Sequence, residues 1–189
     1  MRRRPGTGGA GGRLAFIAKD IMKIRVAIPS DAEGIGRVHV DSWRTTYRDL
    51  LPADFLAGLS YESRAQTWAD TISQHSDRNF IFVLENDGNE IVGFVACGPE
   101  REGQHGHDGE IYAIYLLQEV QGQGWGKALF RKATEELKGR GYGAMLLWVL
   151  EGNPSRGFYE AMGGKTLAEK EIGIGGVKRV EVAYGWEEI

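Results

Sequence analysis

At 189 residues the chain has the length of one domain of ordinary size, with or without a tail. Its 42% hydrophobic and 26% charged residues exclude a wholly disordered chain, and five prolines exclude a collagen-like one. The single cysteine, Cys97, excludes an internal disulfide framework and a cysteine zinc cluster; no apolar run approaches the ~18 residues needed to cross a bilayer. A net charge of −3 gives no reason to expect a nucleic-acid partner or a membrane surface. A cytoplasmic protein is the expectation.

Residues 1–21 stand apart. Arg2, Arg3, Arg4, Arg13 and Lys19 face one acid, Asp20, among Gly6, Gly8, Gly9, Gly11 and Gly12. With five of the 23 basic residues and one of the 26 acids in this segment, residues 22–189 carry a net −7. Gly-rich basic sequence buries too little apolar surface to offset chain entropy, so a disordered tail is expected before a domain over 22–189. Leu14–Ala18 is too short for the apolar core of a signal peptide. Two other readings stay open: a start assigned upstream of Met22, and an Arg patch for nucleic acid.

From Lys23 the chain alternates between the strand and helix periods. Ile24–Ile28 reads as a strand ending at Pro29. Ser30 with Glu33 three residues on reads as a capping box, opening a helix through Ile35, Val38, His39 and Ser42. Leu51–Leu59 and Tyr61–Ser73 are helical pieces around Pro52 and Ser60. Asn79–Glu85 and Glu90–Gly98 are strands joined by a turn at Asn86-Asp87-Gly88-Asn89, and Arg101–Asp108 is a polar loop. The strand Glu110–Leu117 leads into a helix over Gly124–Lys138 with Leu129, Phe130, Ala133 and Leu137 on one face, stopped at Gly139-Arg140-Gly141. Ala144–Leu150 is almost wholly apolar, as a strand buried on both sides would be. A short helix over Pro154–Met162 and strands Lys165–Ile174 and Val177–Trp186, turning at Gly175-Gly176, complete a mixed α/β sheet.

The most chemical stretch is Leu117-Gln118-Glu119-Val120-Gln121-Gly122-Gln123-Gly124-Trp125-Gly126-Lys127. It leaves a strand and enters a helix, and its glycines clear side chains from a backbone that a ligand must approach. Amides of the first helical turn have no intrahelical acceptor and lie at the positive end of the helix dipole, a site for a phosphate or diphosphate. Neither common phosphate loop fits. Gly122-x-Gly124-x-Gly126 lacks the spacing of a dinucleotide fingerprint, and Lys127 is followed by Ala128, not by the Ser or Thr of a triphosphate loop. A glycine-rich turn without a ligand is the alternative.

Gln121-x-x-Gly124-x-Gly126, after Ile111-Tyr112-Ala113-Ile114-Tyr115-Leu116 and before Ala128-Leu129-Phe130, resembles the coenzyme A loop of the GNAT superfamily of N-acetyltransferases. Asn153-Pro154-Ser155-Arg156-Gly157-Phe158-Tyr159-Glu160-Ala161-Met162-Gly163-Gly164 is similar to a second segment of that family, and the likeness spans roughly residues 23–187. The resemblance implies a mixed, largely antiparallel sheet flanked by helices, its two central parallel strands splayed around acetyl-CoA. It places the pantetheine arm along Ile114 and Leu116, and the diphosphate on the loop Gln121, Gly122, Gln123, Gly124, Trp125, Gly126 and Lys127. Arg131 offers further charge or a solvated face. One departure stands out: the family's Asn precedes the helix Tyr by seven positions, whereas Asn153 precedes Tyr159 by six. That slip is about 100° of helix rotation, so Asn153 is either a coenzyme contact or an N-cap ahead of Pro154, with Ser155 as the alternative contact.

Acetyl transfer to an amine needs the amine neutral. A lysine-like amine, with a pKa of about 10.4, is mostly protonated at pH 7, so a base or desolvation is required. Glu110 stands eleven residues before Gln121, the offset of the catalytic glutamate in the histone-acetyltransferase branch that this segment resembles; a solvated strand end is its other reading. Tyr159 is, by the same resemblance, the acid for the coenzyme thiolate. His39, Trp43 and Tyr47 recur every four residues, with at least one of them expected in the core and Trp43 and Tyr47 as acceptor contacts. Asp41 and Asp49 are candidates for attracting a cationic amine. His105-Gly106-His107-Asp108 lacks further ligands for a metal, Cys97 reads as a core residue, and His75 has no visible partner. The expectation is therefore an acetyl-CoA-dependent N-acetyltransferase acting on a small-molecule amine without a metal, with a homodimer as an option. A non-catalytic acyl-CoA sensor and a protein N-terminal or lysine acetyltransferase are the alternatives.

Overall fold

A computed structural model describes residues 22–74, 78–103 and 105–189. The tail expected over 1–21, His75 and Gln104 lie outside the described residues. Seven strands form one sheet in the order β1-β2-β3-β4-β5-β7-β6, with β1 at Lys23–Val26, β2 at Phe80–Glu85, β3 at Ile91–Pro99, β4 at Gly109–Leu116, β5 at Met145–Leu150, β6 at Lys165–Ile174 and β7 at Val177–Trp186. Every pairing is antiparallel except β4 with β5, as the expected mixed α/β sheet requires.

The first helix starts differently from its sequence signature. A 3-10 turn over Pro29–Asp31 precedes α1 (Ala32–Thr46), and Ser30 is exposed and caps nothing. Asp31 does the local work instead: its carboxylate accepts the Ile28 N–H at 2.8 Å and two guanidinium bonds from Arg25 at 2.6 and 2.8 Å. The charge-assisted pair with Arg25 on β1 outweighs a neutral serine cap, and it holds the Asp31 carboxyl below the usual range. The next two helices are α2 (Ala53–Ala57), begun after Pro52, and α3 (Tyr61–Ser73), whose first turn is capped by Ser60 Oγ accepting the Ser63 N–H at 3.1 Å. Helix α4 (Trp125–Gly139) buries Leu129, Phe130, Ala133 and Leu137, the predicted stripe. Cys97 is fully buried, and burial pushes its thiol up to about 12, the state of an inert core residue.

His39 belongs to this core. Its Nδ1 accepts the Trp68 indole N–H at 3.1 Å and its ring stacks on Tyr115 at 5.2 Å. Burial, with Arg64 nearby, lowers it to about 3. An unfolded histidine titrates near 6.5, so the folded state refuses a proton that the unfolded chain takes, and stability falls as pH drops below that value. The cost is about 1.4 kcal/mol per pH unit, roughly 2 kcal/mol at pH 5. His39→Gln retains an acceptor for Trp68 and should flatten the stability curve between pH 7 and 5 in urea unfolding; an unchanged slope would show that His39 is not its source.

Candidate active site

Strands β4 and β5 are joined by only two pairs, Gly109↔Met145 and Glu110↔Leu146, before they diverge. The Asp108 carboxylate braces the closed end, accepting the amides of Gly143 and Ala144, each at 2.9 Å. Of the His105–Asp108 run, Asp108 thus has a structural partner, and His107 Nδ1 lies 2.8 Å from the His105 carbonyl. Among the described residues no cluster of three His, Cys, Asp or Glu side chains has metal-binding geometry.

At the open end, β4 passes through a 3-10 turn at Gln118–Val120 into a loop. Gly122 at φ 71° and Gly124 at φ 91° are left-handed, which would cost a residue with a Cβ about 1–2 kcal/mol. These two turns aim the chain so that the amides of residues 122–127 donate to no acceptor among the described residues; the first α4 bond is Ala128 N–H to Gly124 at 3.1 Å. Gln121 and Gln123 hold the loop's shape, their side-chain amides donating to the Leu116 and Glu119 carbonyls, each at 2.9 Å. Lys127 is exposed at the helix start and Trp125 packs on the core.

Between the splayed strands and this loop lies a cavity of about 240 Å³. Ile114, Leu116, Gly122, Gly126, Ser155 and Tyr159 are on its wall. Leu117 N–H bonds back to Val92 at 2.9 Å, so strand alternation turns the main chain of Leu116 and Ile114 toward the opening. The Leu116 carbonyl is already shared by Ser42 Oγ at 3.1 Å and Gln121, leaving Ile114 the freer of the two.

Helix α5 (Arg156–Ala161) begins two residues later than the pattern indicated. Asn153 Oδ1 accepts the Ser155 N–H at 2.8 Å, closing a turn that makes Ser155 the N-cap residue, and Pro154 precedes the helix. Asn153 is buried, lines the cavity, and donates from Nδ2 to the Tyr47 hydroxyl at 3.3 Å, bracketing α5 to α1. Tyr159 is buried with its hydroxyl unpaired among the described residues, and burial raises its phenol well above the ordinary value. It therefore stays protonated at neutral pH.

A second cavity of about 190 Å³ adjoins the first and shares Tyr47, Ile111, Tyr112, Tyr115, Trp148 and Val149 with it. Trp43 completes its aromatic wall, its ring edge-on to Tyr47 at 5.0 Å. Of the predicted aromatic stripe, Trp43 and Tyr47 reach this cavity and His39 does not. Asp41 and Asp49 are also outside it; Asp41 instead accepts the Tyr61 hydroxyl at 2.6 Å. Glu110 lines the second cavity, 1% exposed and bound on both carboxylate oxygens by Arg101, through Nη2, Nε at 3.0 Å and the backbone N–H at 3.2 Å. Sequence reasoning missed Tyr112, Tyr115, Trp148 and above all Glu181, set on β7 opposite Leu150 and Lys170. The signal was a lone acid between Val180 and Val182, which alternation alone reads as solvent-facing.

An opened parallel pair thus lies beside bare helix-start amides, with a second cavity leading off the first. Residues 40–164 match the acetyltransferase (GNAT) family model, and the chain belongs to that family: it is an N-acetyltransferase. It is 40% identical over 169 residues to the uncharacterized N-acetyltransferase YuaI of Bacillus subtilis (strain 168), covering 89% of this chain and 95% of that one. It is 32% identical over 147 residues to an uncharacterized N-acetyltransferase of Archaeoglobus fulgidus, covering 73% and 89%. The fold is similar to that of the PaiA N-acetyltransferase of Thermoplasma acidophilum, solved in complex with coenzyme A, with a TM-score of 0.69 at 19% identity, covering 86% of this chain and 98% of that one.

Proposed function

We propose that the protein transfers an acetyl group from acetyl-CoA to a primary amine of a small molecule, by direct attack in a ternary complex. The observation that carries the reading is the run of unpaired amides at residues 122–127 beside the β4–β5 opening. These amides suit a diphosphate, with Lys127 adjacent, and the main chain of Ile114 suits an extended amide-bearing arm. Acetyl-CoA brings an acetyl group already activated as a thioester. The second cavity, about 190 Å³ and walled by aromatic rings, supports a small acceptor. Within it a carboxylate, Glu110 or Glu181, takes the amine proton, while Tyr159 supplies one to the departing sulfur.

The test is a panel of small amines followed by release of free coenzyme thiol, alongside thermal melts. Acetyl-CoA should raise the melting temperature, because a ligand of the native state alone stabilises it. No shift at millimolar acetyl-CoA would refute the reading. Tyr159→Phe should lower kcat by roughly ten- to a hundredfold, at the low end of general-acid effects because a thiol is a good leaving group, with acetyl-CoA affinity within a few-fold of wild type. An equal loss in affinity would make Tyr159 a binding residue instead.

A further inference from the structure

We infer that Glu181 is the proton acceptor of the transfer, and that the cavity around it selects a compact cationic amine. The inference rests on the acetyltransfer reading above and assigns a role within it. Two carboxylates face the acceptor cavity, and their surroundings differ. Both Glu110 oxygens are occupied by Arg101, so receiving a proton there would break a charge-assisted pair in a site only 1% exposed. The Glu181 carboxylate has no hydrogen-bond or ion-pair partner among the described residues.

Nearby cations are already committed. Lys170, directly across from Glu181 on β6, pairs with Glu102 and lies 3.9 Å from the centre of the Trp148 ring. Arg101 pairs with Glu110 and lies over Tyr112 at 4.7 Å. From α1 and β4 come the phenols Tyr47, Tyr112 and Tyr115. Of the charged side chains lining the cavity, Arg101 is paired with Glu110 and Lys170 with Glu102, which leaves the Glu181 carboxylate without a pair of its own beside the aromatic rings. An alkylammonium group fits both features, the carboxylate by charge and the Trp43 and Tyr47 rings by cation–π attraction. Burial also raises the Glu181 carboxyl above the ordinary carboxylate value, toward the range in which a base is effective.

The step balances without another reagent. The ammonium N–H proton passes to the Glu181 carboxylate. The freed nitrogen lone pair forms the N–C bond to the acyl carbon, and the C–S bond breaks with its electron pair on sulfur. Tyr159 protonates that sulfur, the second proton on the acylated nitrogen restores the phenol, and the proton on Glu181 is lost to solvent, leaving a neutral amide and the free thiol.

Glu181→Gln, measured with an alkylamine accepted by wild type, should lower kcat/KM on the order of a hundredfold at pH 7 and abolish the acid limb of the pH profile. Acetyl-CoA affinity and the acetyl-CoA-induced melting shift should stay close to wild type. An arylamine acceptor, already neutral at pH 7, should lose far less. Glu181→Asp, which keeps the charge but withdraws it, should keep the acid limb at reduced rate and guards against a Gln variant that folds poorly. Glu110→Gln should also keep the limb. An active wild type whose Glu181→Gln variant retains both kcat/KM and the acid limb would overturn the inference and leave the acetyltransfer reading intact. A wild type that binds acetyl-CoA but acetylates no amine would overturn both.

Discussion

Gly126→Asp is expected to weaken acetyl-CoA binding by at least about a hundredfold while leaving the unliganded protein as stable as wild type, or slightly more so. The two effects have one cause. Gly126 lies in the first turn of α4, where an added carboxylate interacts favourably with the helix dipole, by about 0.3–1 kcal/mol. Helical geometry also suits aspartate slightly better than glycine. Space is available: a Cβ at Gly126 would meet Leu116 at 3.7 Å and the Phe158 ring at 3.9 Å, ordinary contacts. The same carboxylate, however, stands among the unpaired amides of residues 122–127, where a diphosphate would bring like charge. Two unit charges 4 Å apart repel by about 4 kcal/mol near a protein surface, more than a hundredfold in affinity requires. Gly126→Asn supplies the size without the charge and should lose much less. Calorimetric titration of both variants decides it, and equal affinities for Asp and Asn would place the anion elsewhere.

Arg101→Met should cost about 3 kcal/mol of stability at pH 7, because it removes the partner of a carboxylate almost wholly withdrawn from water. Adding Glu110→Gln to Arg101→Met should restore most of it, since no charge is then left unpaired. Urea unfolding of the three proteins measures this, and a deficit that persists in the double variant would mean that the Arg101 stem's packing on Tyr112, and not the charge, carries the effect.

What the sequence disclosed was local. The loop at residues 117–127 was legible because strand, glycine turn and helix start are contiguous, and the unpaired amides of that unit follow from its own backbone. The stripe on α4 and the order of elements were legible for the same reason. The features that escaped depend on partners far along the chain or across the sheet. Ser30 lost its cap to Asp31 because Arg25 reaches across from β1. The α5 boundary moved because Asn153 turns its side chain onto Ser155 and Tyr47. Glu110 looked free until the polar loop folded Arg101 back onto it, and Glu181 acquired its setting only once β7 lay beside β5.

The pairing of β4 with β5 has a mechanical corollary. Two rungs and the Asp108 brace pin one end, whereas the other end is held apart with no main-chain bonds between the strands. The pair is thus fastened at its heel and unbonded at its lips, so that a molecule entering beside the glycine loop would meet free strand edges first and the fastened end last.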